Sequence, residues 1–463
     1  MRVFNRHVSA REVTVFTFEV MLISGSVALA AQIHGIGGSE AILWKIALVT
    51  VVCQLCFYYN ELYNLTIVQS SRELVVRLLQ ATGAAASVLA AACLAVPSII
   101  LDPGTFVTAL GVFVLAVLTW RLTFNRFAND PRLDERILIL GTGRAARLLA
   151  RQMGAQQDFA YRFVGFVDER DNESGTEARD RDEAVPPVHV LGRAHDIGRL
   201  VLEHRVNRIV VSLSDRRGHL PIEQLLRAKL SGVRVEDATT TYERLTGKIL
   251  IDDLKPSWLI FSDGFRASHL TRVVKRMLDL ALSIIGVVLA APMMILTAIA
   301  VRLDSPGSVL YSQERVGENG HVFRLYKFRS MRVDAEHGTP VWAHDNDGRA
   351  TRVGRFIRLT RLDELPQLWN VMRGDMSFVG PRPERPYFVE QLAAVVPFYV
   401  QRHAVKPGVT GWAQVKYRYG SSIDDATEKL RYDLYYIKHL SVVFDLTIVI
   451  DTVKVILSRK GAQ

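Results

Sequence analysis

The 463-residue sequence predicts a membrane protein of mixed class, α plus α/β, built from three regions. Three observations lead to this prediction: four long apolar segments near the N-terminus, a strand–helix alternation after them, and a further apolar run that precedes a basic C-terminal part. We expect a four-helix transmembrane bundle at 1–134, a Rossmann-like doubly wound domain at 135–265, and a mainly helical domain at 266–463 with a re-entrant membrane helix at 272–302.

The composition agrees with a membrane protein that has sizeable polar parts. Hydrophobic residues make up 49% of the chain and the mean hydropathy is +0.14, which is high for a soluble protein. The net charge of +10 suits nucleic acid, anionic lipid or phosphorylated substrates as partners. Because no zinc-finger spacing or RNA-binding aromatic motif accompanies this charge, we expect no nucleic-acid partner.

The N-terminal apolar segments are each about long enough to cross ~30 Å of hydrocarbon at ~1.5 Å per helical residue. They lie at 13–33, 41–60, 75–101 and 105–120. Arginines precede the first segment, flank the start of the third and follow the fourth, whereas the connections at 34–40 and 97–104 contain no Lys or Arg. Both ends of the bundle should therefore face the cytoplasm. The segments carry few charges, so we expect an anchor rather than a transport pathway.

The middle region begins with a buried-strand pattern at 137–140. The turn Gly141-Thr-Gly143-Arg-Ala-Ala146 follows it and opens a helix, and a second strand pattern ends at Asp168. A GxGxxA turn with an acid after the second strand outlines a dinucleotide fingerprint, so Gly141, Gly143 and Asp168 are candidate nucleotide-binding residues. Because no Tyr-x-x-x-Lys pattern follows, we favour a structural or regulatory role over redox catalysis.

The hydrophobic run at 277–301 is long enough for a fifth span, but two features favour a re-entrant helix. Pro292 lies near its middle, where it removes a helical hydrogen bond and kinks the helix. Basic residues bracket both ends, which suits a segment that enters and leaves the membrane on the same side. An ordinary Pro-kinked spanning helix fits the composition equally well.

An adjacent carboxylate pair, Asp363 and Glu364, lies among many arginines. Thr360 is a candidate N-cap and Pro366 is tolerated only in a first helical turn, so we expect the pair at a helix start, where it stays ionised and phosphate is attracted. One carboxylate can attack phosphorus to form an acyl-phosphate. Its neighbour can bind Mg²⁺ or accept a proton, so Mg²⁺ is the expected cofactor, held by Asp363 and Glu364.

Phosphoryl transfer also needs positive charge on the non-bridging oxygens. Lys327 supplies a compact charge, Arg358 and Arg382 offer bidentate contacts, and Arg329 is a further candidate on the Lys327 segment. Arg382 belongs to the stiff turn Gly380-Pro-Arg-Pro383, which would fix its side chain. A lone Asp-Glu step is usually a solvated surface pair, but its place among three basic motifs favours a functional site.

These segments resemble the bacterial sugar transferase family, the monotopic phosphoglycosyl transferases of the exopolysaccharide and capsule type. The large form of that family, with four spanning helices and a Rossmann-like domain, matches best. The resemblance covers essentially the whole chain and is most specific over 275–458. The family often has Ser-Pro at the helix break, where this chain has Ala291-Pro292. The motifs that carry the resemblance lie at 313–317, 326–331, 358–370, 374–383, 406–412 and 432–436.

The resemblance implies a two-step reaction. Asp363 would attack the β-phosphate of a UDP-sugar, release UMP and hold a phosphosugar-aspartyl intermediate. Polyprenyl (undecaprenyl) phosphate would then accept the hexose phosphate, as the first membrane step of exopolysaccharide, capsule or O-antigen repeat-unit synthesis. Glu364 would assist as base or Mg²⁺ partner. Phosphates would be bound by Lys327, Arg358 and Arg382, and the nucleotide pocket would include Thr410, Gly411 and Trp412.

This activity implies a location and partners. We expect a bacterial inner-membrane protein whose catalytic domain faces the cytoplasm and membrane lipid, and which forms a homo-oligomer, a dimer. If the run at 277–301 crossed the membrane, the catalytic domain would lie where nucleotide sugars are not supplied, which favours the re-entrant helix. The sequence leaves open which sugar is transferred, glucose and galactose being the usual candidates.

Two other functions stay open. A membrane-tethered nucleotide-sugar dehydratase or epimerase would use the middle domain and need bound NAD. A non-catalytic scaffold of a polysaccharide machine would not need the acid pair. Two local patterns complete the predictions: Asp345-Asn-Asp347-Gly348 is interpreted as a turn rather than a calcium loop, and the segment at 442–457 as an amphipathic helix at the membrane surface.

Overall fold

A computed structural model of the chain divides into two compact units, whose main parts are His7–Thr241 and Tyr242–Gln463. The predicted turn at 345–347 lies outside the described residues. The structure describes residues 2–3, 6–7, 10–35, 41–60, 62–63, 71–95, 103–128, 135–155, 161–168, 189–213, 220–251, 256–332, 348–417, 420 and 422–457.

The first unit begins with helices at all four predicted positions. They are α1 (Ala10–Ile33), α2 (Ala41–Tyr59), α3 (Ser71–Ala95) and α4 (Pro103–Ala128). By length and composition α1, α2 and α4 can each cross a membrane, whereas the described apolar part of α3 is shorter, Leu74–Ala90. Apolar side chains from all four helices, such as Ile23, Phe57, Leu78 and Val117, form the interior of the bundle.

A buried ion pair joins α1 to α4. Arg121 Nε donates to Glu19 Oε1 at 2.6 Å, and both side chains are at most 1% exposed. Tyr63 donates its hydroxyl hydrogen to Glu19 Oε2 at 2.7 Å and also contacts Gln54. Polar groups inside a membrane need such internal partners. The few charges of these segments therefore include a buried ion pair, which the sequence pattern did not reveal.

An α/β region follows in the same unit. Its parallel five-stranded sheet has the order β3-β2-β1-β4-β5. The last four residues of β1 are buried, as expected for a strand covered on both faces. Its strands are β1 (Glu135–Leu140), β2 (Tyr161–Asp168), β3 (Val190–Arg193), β4 (Arg208–Val211) and β5 (Arg234–Asp237). Its helices are α5 (Arg144–Ala155), α6 (Ile197–Glu203) and α7 (Ile222–Leu230), and α8 (Ala238–Thr246) follows the sheet.

Gly141 has a structural reason to be glycine. Its φ is +107°, and a Cβ at this position would lie 2.4 Å from the backbone oxygen of Ser212, which follows β4. Only glycine avoids both penalties at this turn. The first glycine of the predicted fingerprint is thus required by the sheet itself, whatever the domain binds.

The second unit contains the long helix α10 (His269–Asp304), a hairpin and a group of shorter helices. Helix α9 (Pro256–Phe261) precedes α10, and the antiparallel hairpin pairs β6 (Leu310–Val316) with β7 (Val322–Phe328). Strands β8 (Ser377–Val379) and β9 (Gly408–Thr410) form a short parallel pair. The remaining helices are α11 (Arg352–Leu359), α12 (Gln367–Arg373), α13 (Pro386–Val395), α14 (Trp412–Lys416), α15 (Ile423–Lys438) and α16 (Val442–Leu457).

Residues ahead of the predicted boundary at 266 pack in this second unit. Ile249 and Ile251 are buried in the same core as Trp412, Leu434 and Phe444. Residues 242–251 thus supply part of the hydrophobic core beneath α14, α15 and α16.

Helix α10 contacts the second unit at both of its ends. Near its start, Lys275 Nζ donates to Asp445 Oδ2 at 2.7 Å, and Asp279 Oδ1 accepts from Phe378 N at 2.9 Å. At its end, Asp304 Oδ2 accepts from Val353 N at 3.2 Å. Between these ends, apolar side chains such as Leu289 are exposed.

The predicted break at Pro292 is not seen, because α10 runs as one 36-residue helix with Pro292 inside it. Proline removes one helical hydrogen bond, and the turns on either side keep the remaining backbone bonds.

The predicted C-terminal helix is present as α16, and its acids are buried. Asp445 and Asp451 of α16 are only 2% and 5% exposed, so these acids face the interior of the unit. Asp445 is held there by Lys275 and by the hydroxyl of Tyr436. The exposed side chains of α16 include apolar ones such as Ile456. Helix α16 therefore packs its acidic side into the core and leaves apolar side chains exposed.

Candidate active site

The acid pair lies in a tight turn between two helices. Helix α11 ends at Leu359, and Thr360 closes it by donating its hydroxyl hydrogen to Phe356 O at 2.8 Å. Arg361 then adopts a left-handed conformation, with φ of +59°, and Leu362–Glu364 forms a 3₁₀ turn. A left-handed non-glycine residue costs about 1–3 kcal/mol, so the surrounding packing must hold this turn in place.

The predicted helix start is therefore corrected. Thr360 caps the end of α11 rather than the beginning of a helix, and α12 begins only at Gln367, after Pro366. Asp363 and Glu364 precede α12 instead of lying in its first turn. Their electrostatic environment consequently comes from charged side chains and burial, not from a helix N-terminus.

Glu364 is enclosed by cations. Its Oε1 accepts hydrogen bonds from Lys327 Nζ at 3.2 Å and from Arg382 Nη2 at 2.7 Å. Arg361 Nη1 lies 3.7 Å from the other oxygen, and the Glu364 side chain is 12% exposed. Burial alone would raise the pKa of Glu364, but these cations outweigh it and hold the pKa well below its usual range. Glu364 is therefore a fixed anion.

Asp363 has the opposite environment. The residue is 8% exposed, and none of the described residues donates a hydrogen bond to its carboxylate. Burial raises the pKa of Asp363 above its usual value, with the neighbouring charge of Glu364 adding to the effect and Lys327, Arg382 and Arg358 opposing it. A partly desolvated carboxylate without hydrogen bonds is more basic and more nucleophilic than one in water.

The adjacent acids are thus pushed apart in pKa by their surroundings. This is the arrangement by which two neighbouring carboxyl groups take different roles in catalysis. Lys327 is also perturbed, since burial lowers the pKa of its ammonium group while Glu364 opposes the change. The site therefore contains an acid without hydrogen bonds, Asp363, and an acid that is ion-paired with two cations, Glu364.

Asn370 fixes the strand that carries Lys327. Its side chain is fully buried, its Nδ2 donates to Arg324 O at 2.7 Å, and its Oδ1 accepts from Tyr326 N at 3.1 Å. These two bonds join α12, which follows the acid pair, to β7. Asn370 lies in one of the motifs that carry the resemblance, but the sequence indicated no role for it. Its only signal is a polar residue on the buried face of α12, beside Leu368 and Val371.

Thr410 and Gly411 support the Arg382 turn by their backbone. Gly380 N donates to Thr410 O at 2.9 Å, and a Cβ on Gly411 would lie 2.2 Å from Gly380 O. The Thr410 hydroxyl contacts the Thr452 hydroxyl at 2.7 Å. The structure therefore brings both residues next to the site as packing partners of the turn.

Trp412 does not line a pocket. It is 3% exposed, and its Nε1 donates to Gly247 O at 2.8 Å. Its ring packs against Phe444 with a centroid distance of 5.0 Å. Because the ring and its N–H are used in the core, the predicted nucleotide contact of Trp412 does not fit the structure.

The other predicted cations are placed differently from Lys327 and Arg382. Arg329 is 8% exposed, and its Nη2 donates to Ser305 O at 2.7 Å and to the Ser305 hydroxyl at 3.0 Å, which attaches it to the end of α10. Arg358, on the last turn of α11, is close enough for its charge to lower the pKa of Asp363. In the first unit, Gly141, Gly143 and Asp168 lie at the carboxyl ends of β1 and β2.

The two acids differ in how well they could bind Mg²⁺. Among the described residues, no group of three or more His, Cys, Asp or Glu is arranged to hold a metal. Mg²⁺ bound with a phosphorylated substrate usually takes only one or two carboxylates, because water and phosphate oxygens complete its shell. Asp363 fits this role, since its oxygens carry no hydrogen bond from the described residues. Glu364 fits less well, since Lys327 and Arg382 already engage its Oε1.

Comparison with known families matches two parts of the chain. Residues 270–459 match the bacterial sugar transferase family, which includes the whole candidate site. Residues 59–227 match a family described as CoA-binding domain.

Curated relatives agree with the first match. The chain is 42% identical over 239 residues to a UDP-N-acetylgalactosamine-undecaprenyl-phosphate N-acetylgalactosaminephosphotransferase of Aeromonas hydrophila, which covers 52% of this chain and 56% of that protein. It is 31% identical over 356 residues to an undecaprenyl-phosphate glucose phosphotransferase of Komagataeibacter xylinus, covering 74% of this chain and 64% of that protein.

A shorter relative is matched over nearly its whole length. The chain is 41% identical over 196 residues to the exopolysaccharide production protein PSS of Rhizobium leguminosarum bv. phaseoli, covering 40% of this chain and 96% of that protein. In contrast, the match spans little more than half of the Aeromonas relative. Because the C-terminal match contains the acid pair and both of its cations, the chain belongs to the bacterial sugar transferase family.

Proposed function

We propose that this protein transfers a hexose 1-phosphate from a UDP-sugar to polyprenyl (undecaprenyl) phosphate and releases UMP. The observation that carries the proposal is the split acid pair: Asp363 without a hydrogen bond beside Glu364 locked by Lys327 and Arg382. Two relatives are named as undecaprenyl-phosphate phosphotransferases of N-acetylgalactosamine and of glucose, which supports the same acceptor here.

In the first step, an Asp363 oxygen attacks the β-phosphorus of the UDP-sugar. The bond from that phosphorus to the oxygen bridging it to the α-phosphate breaks, and UMP leaves with the bridging oxygen. The product is a phosphosugar-aspartyl intermediate. Lys327 and Arg382 would hold the non-bridging oxygens and stabilise the charge that develops there.

In the second step, a phosphate oxygen of the polyprenyl carrier attacks the same phosphorus. The acyl-phosphate bond breaks, the Asp363 carboxylate is regenerated, and a polyprenyl-diphospho-sugar forms. This product would be the first lipid-linked intermediate of an exopolysaccharide, capsule or O-antigen repeat unit. Glu364 would keep Lys327 and Arg382 in place through both steps, since its low pKa makes it a poor base.

Mg²⁺ is proposed as the cofactor, held by an Asp363 oxygen and the substrate diphosphate. When bound, it would neutralise charge on the diphosphate. Removal of divalent ions with EDTA should then stop UMP release, and full activity in EDTA would refute this part of the proposal.

We propose that α10 is re-entrant and that the site faces the cytoplasm at the inner membrane. Both ends of α10 contact the same unit, through Lys275 and Asp279 at one end and Asp304 at the other. A crossing helix would separate those contacts by the membrane. The exposed apolar middle of α10 suits one leaflet.

This topology can be tested by labelling. Cysteines at Ser268 and Ser308, in a variant that lacks the native cysteines, should both react with a membrane-impermeant maleimide only from the cytoplasmic side. Reaction from opposite sides would establish a spanning helix instead.

For the middle region, we propose a Rossmann-like domain with a structural or regulatory role. The strand order β3-β2-β1-β4-β5 and the match to a CoA-binding family support a nucleotide-containing ligand near Gly141, Gly143 and Asp168. We also propose that the protein acts as a homodimer.

The central experiment is a donor panel. Purified protein and polyprenyl phosphate are incubated with UDP-glucose, UDP-galactose and UDP-N-acetylgalactosamine, and UMP release is measured. At least one donor should release UMP in wild type and none in Asp363→Asn. An NAD absorbance in the purified protein, together with no UMP from any donor, would favour the dehydratase or epimerase alternative.

A further inference from the structure

The turn that carries Arg382 is fixed through every one of its carbonyls from Pro381 to Glu384. The four hydrogen bonds come from three segments of the unit, because Arg315 and Val316 both belong to β6. The donors are Gly408 N to Pro381 O at 2.9 Å, Arg402 Nη2 to Arg382 O at 3.0 Å, Arg315 Nη1 to Pro383 O at 3.1 Å, and Val316 N to Glu384 O at 2.9 Å. Because two residues of this turn are prolines with fixed φ, its backbone has little freedom left.

Arg402 is the donor that acts on Arg382 itself, and it is buried. The residue is 5% exposed, and its Nε and Nη2 both donate to Asp433 Oδ2, at 3.1 and 2.9 Å. Its Nη1 donates to the Tyr399 hydroxyl at 2.7 Å. Asp433, on α15, is 2% exposed. With all three guanidinium nitrogens bonded inside the protein, Arg402 is not placed to contact substrate.

A buried ion pair is a costly way to fill a core. Removing both charges from water costs several kcal/mol per ion, so replacing such a pair by apolar residues is often neutral or stabilising. The position of this pair gives it another use. Arg402 holds the carbonyl of the residue whose guanidinium lies 2.7 Å from Glu364, and Asp433 holds Arg402 in the required orientation.

We propose that Arg402 and Asp433 are positioning residues for Arg382. They fix the Arg382 backbone so that its guanidinium reaches both Glu364 and the phosphate that Asp363 attacks. This inference rests on the proposed reaction for its kinetic consequence, but the position of Arg382 relative to Glu364 can be measured without turnover.

The kinetic test is a double-mutant cycle between Asp433→Asn and Arg382→Ala, with UMP release as the readout. Misplacing a catalytic group by about 1 Å can cost on the order of 10²-fold in rate, so Asp433→Asn should lower kcat by about that factor. In the Arg382→Ala background the same substitution should change kcat less than about twofold, since no guanidinium remains to be positioned. Equal losses in both backgrounds would overturn the proposal.

Glu243→Gln is the matched control. Glu243 is also a buried acid of this unit, 3% exposed and bonded to Lys438 Nζ at 2.7 Å, but it makes no contact with the Arg382 turn. Its effect on kcat should be the same in the wild-type and Arg382→Ala backgrounds. Should Asp433→Asn fail to fold, Arg402→Lys serves instead, because a single ammonium nitrogen cannot replace the three guanidinium nitrogens that separately reach Asp433, Tyr399 and Arg382 O.

The second readout does not depend on activity. Experimental structures of wild type, Asp433→Asn and Glu243→Gln report the distance from Arg382 Nη2 to Glu364 Oε1. That distance should exceed hydrogen-bond length in Asp433→Asn, whereas Glu243→Gln should leave it at 2.7 Å. An unmoved Arg382 guanidinium in Asp433→Asn would overturn the proposal even if no UDP-sugar proved to be a donor. The absence of any donor would count against the proposed function alone.

Discussion

Both units of the molecule bury a carboxylate against a guanidinium, but they differ in how completely the acids are bonded. In the helical bundle, Glu19 is fully buried and its two oxygens accept from Arg121 and Tyr63. In the second unit, one oxygen of Glu364 accepts from both Lys327 and Arg382 and the other lies 3.7 Å from Arg361, yet Asp363 beside it accepts no hydrogen bond from the described residues. A buried acid that accepts hydrogen bonds links elements of the fold, whereas an acid without hydrogen bonds, such as Asp363, is available for chemistry.

We expect the largest effect from a substitution of Asp363, the acid without a hydrogen bond. Asp363→Asn keeps the shape of the side chain but removes the nucleophile, so UMP release should fall on the order of 10⁴-fold or more. Exchange of labelled UMP into the UDP-sugar, measured without lipid acceptor, should disappear with it. Asp424→Asn, at an exposed acid in the first turn of α15, is the control and should keep normal activity. Exchange retained in Asp363→Asn would remove Asp363 from the mechanism.

Removing a cation from Glu364 should have the next largest effect. Lys327→Met removes one of the cations from Glu364 and from the substrate phosphate, and loss of one such group typically costs about 10²–10³-fold in kcat. Lys327→Arg retains the positive charge and should recover part of the activity. A Lys327→Met enzyme with unchanged kcat and KM would mean that Lys327 has only a structural role.

The pH dependence of UMP release should reveal the two perturbed groups. Asp363 must be ionised to attack and its pKa is raised, so activity should increase with pH only above the ordinary Asp value of 3.8. Lys327 must be protonated and its pKa is lowered, so activity should decline at a pH below the ordinary Lys value of 10.5. The profile should therefore be bell-shaped. In Lys327→Arg the alkaline limb should move to higher pH, and an unmoved limb would assign it to another group.

The buried ion pair of the bundle, Glu19 with Arg121, should matter least for catalysis. Glu19→Gln leaves the buried Arg121 without its counter-charge, which typically costs about 3–5 kcal/mol in stability. We expect a lower Tm in detergent with kcat within about twofold of wild type. The double variant Glu19→Gln with Arg121→Met should regain part of the Tm. A large loss of kcat at unchanged Tm would show that the bundle does more than anchor the protein.

The core of the active site was predictable because its residues lie in short, charged motifs. The sequence identified Asp363, Glu364, Lys327 and Arg382, and the structure brings these side chains together. Their charges stand out in a sequence with long apolar stretches. The turn containing Arg382 was predicted to be stiff, and each of its carbonyls from Pro381 to Glu384 is bonded.

The remaining errors concern the hydrogen-bond partners of individual side chains. Thr360 was taken for an N-cap, although the same hydroxyl can equally bond back to the end of the preceding helix. The resemblance placed Trp412 in the nucleotide pocket, whereas its indole N–H bonds Gly247, 165 residues away. Glu19 and Arg121 are 102 residues apart, and no local pattern indicated that they form a pair. Local patterns show which residues are charged or aromatic, but not which distant group neutralises or covers them.

The contacts made by residues 242–251 set a limit on how this enzyme can be shortened. Glu243 neutralises Lys438 and bonds His439, Gly247 accepts the indole hydrogen of Trp412, and Ile249 fills the core. A fragment that starts at α10 would retain every residue of the acid site yet lack this inner lining. Engineering a minimal soluble or membrane-bound version therefore requires beginning the chain upstream of Tyr242, or else redesigning the surface of α14 and α15 that the truncation would uncover.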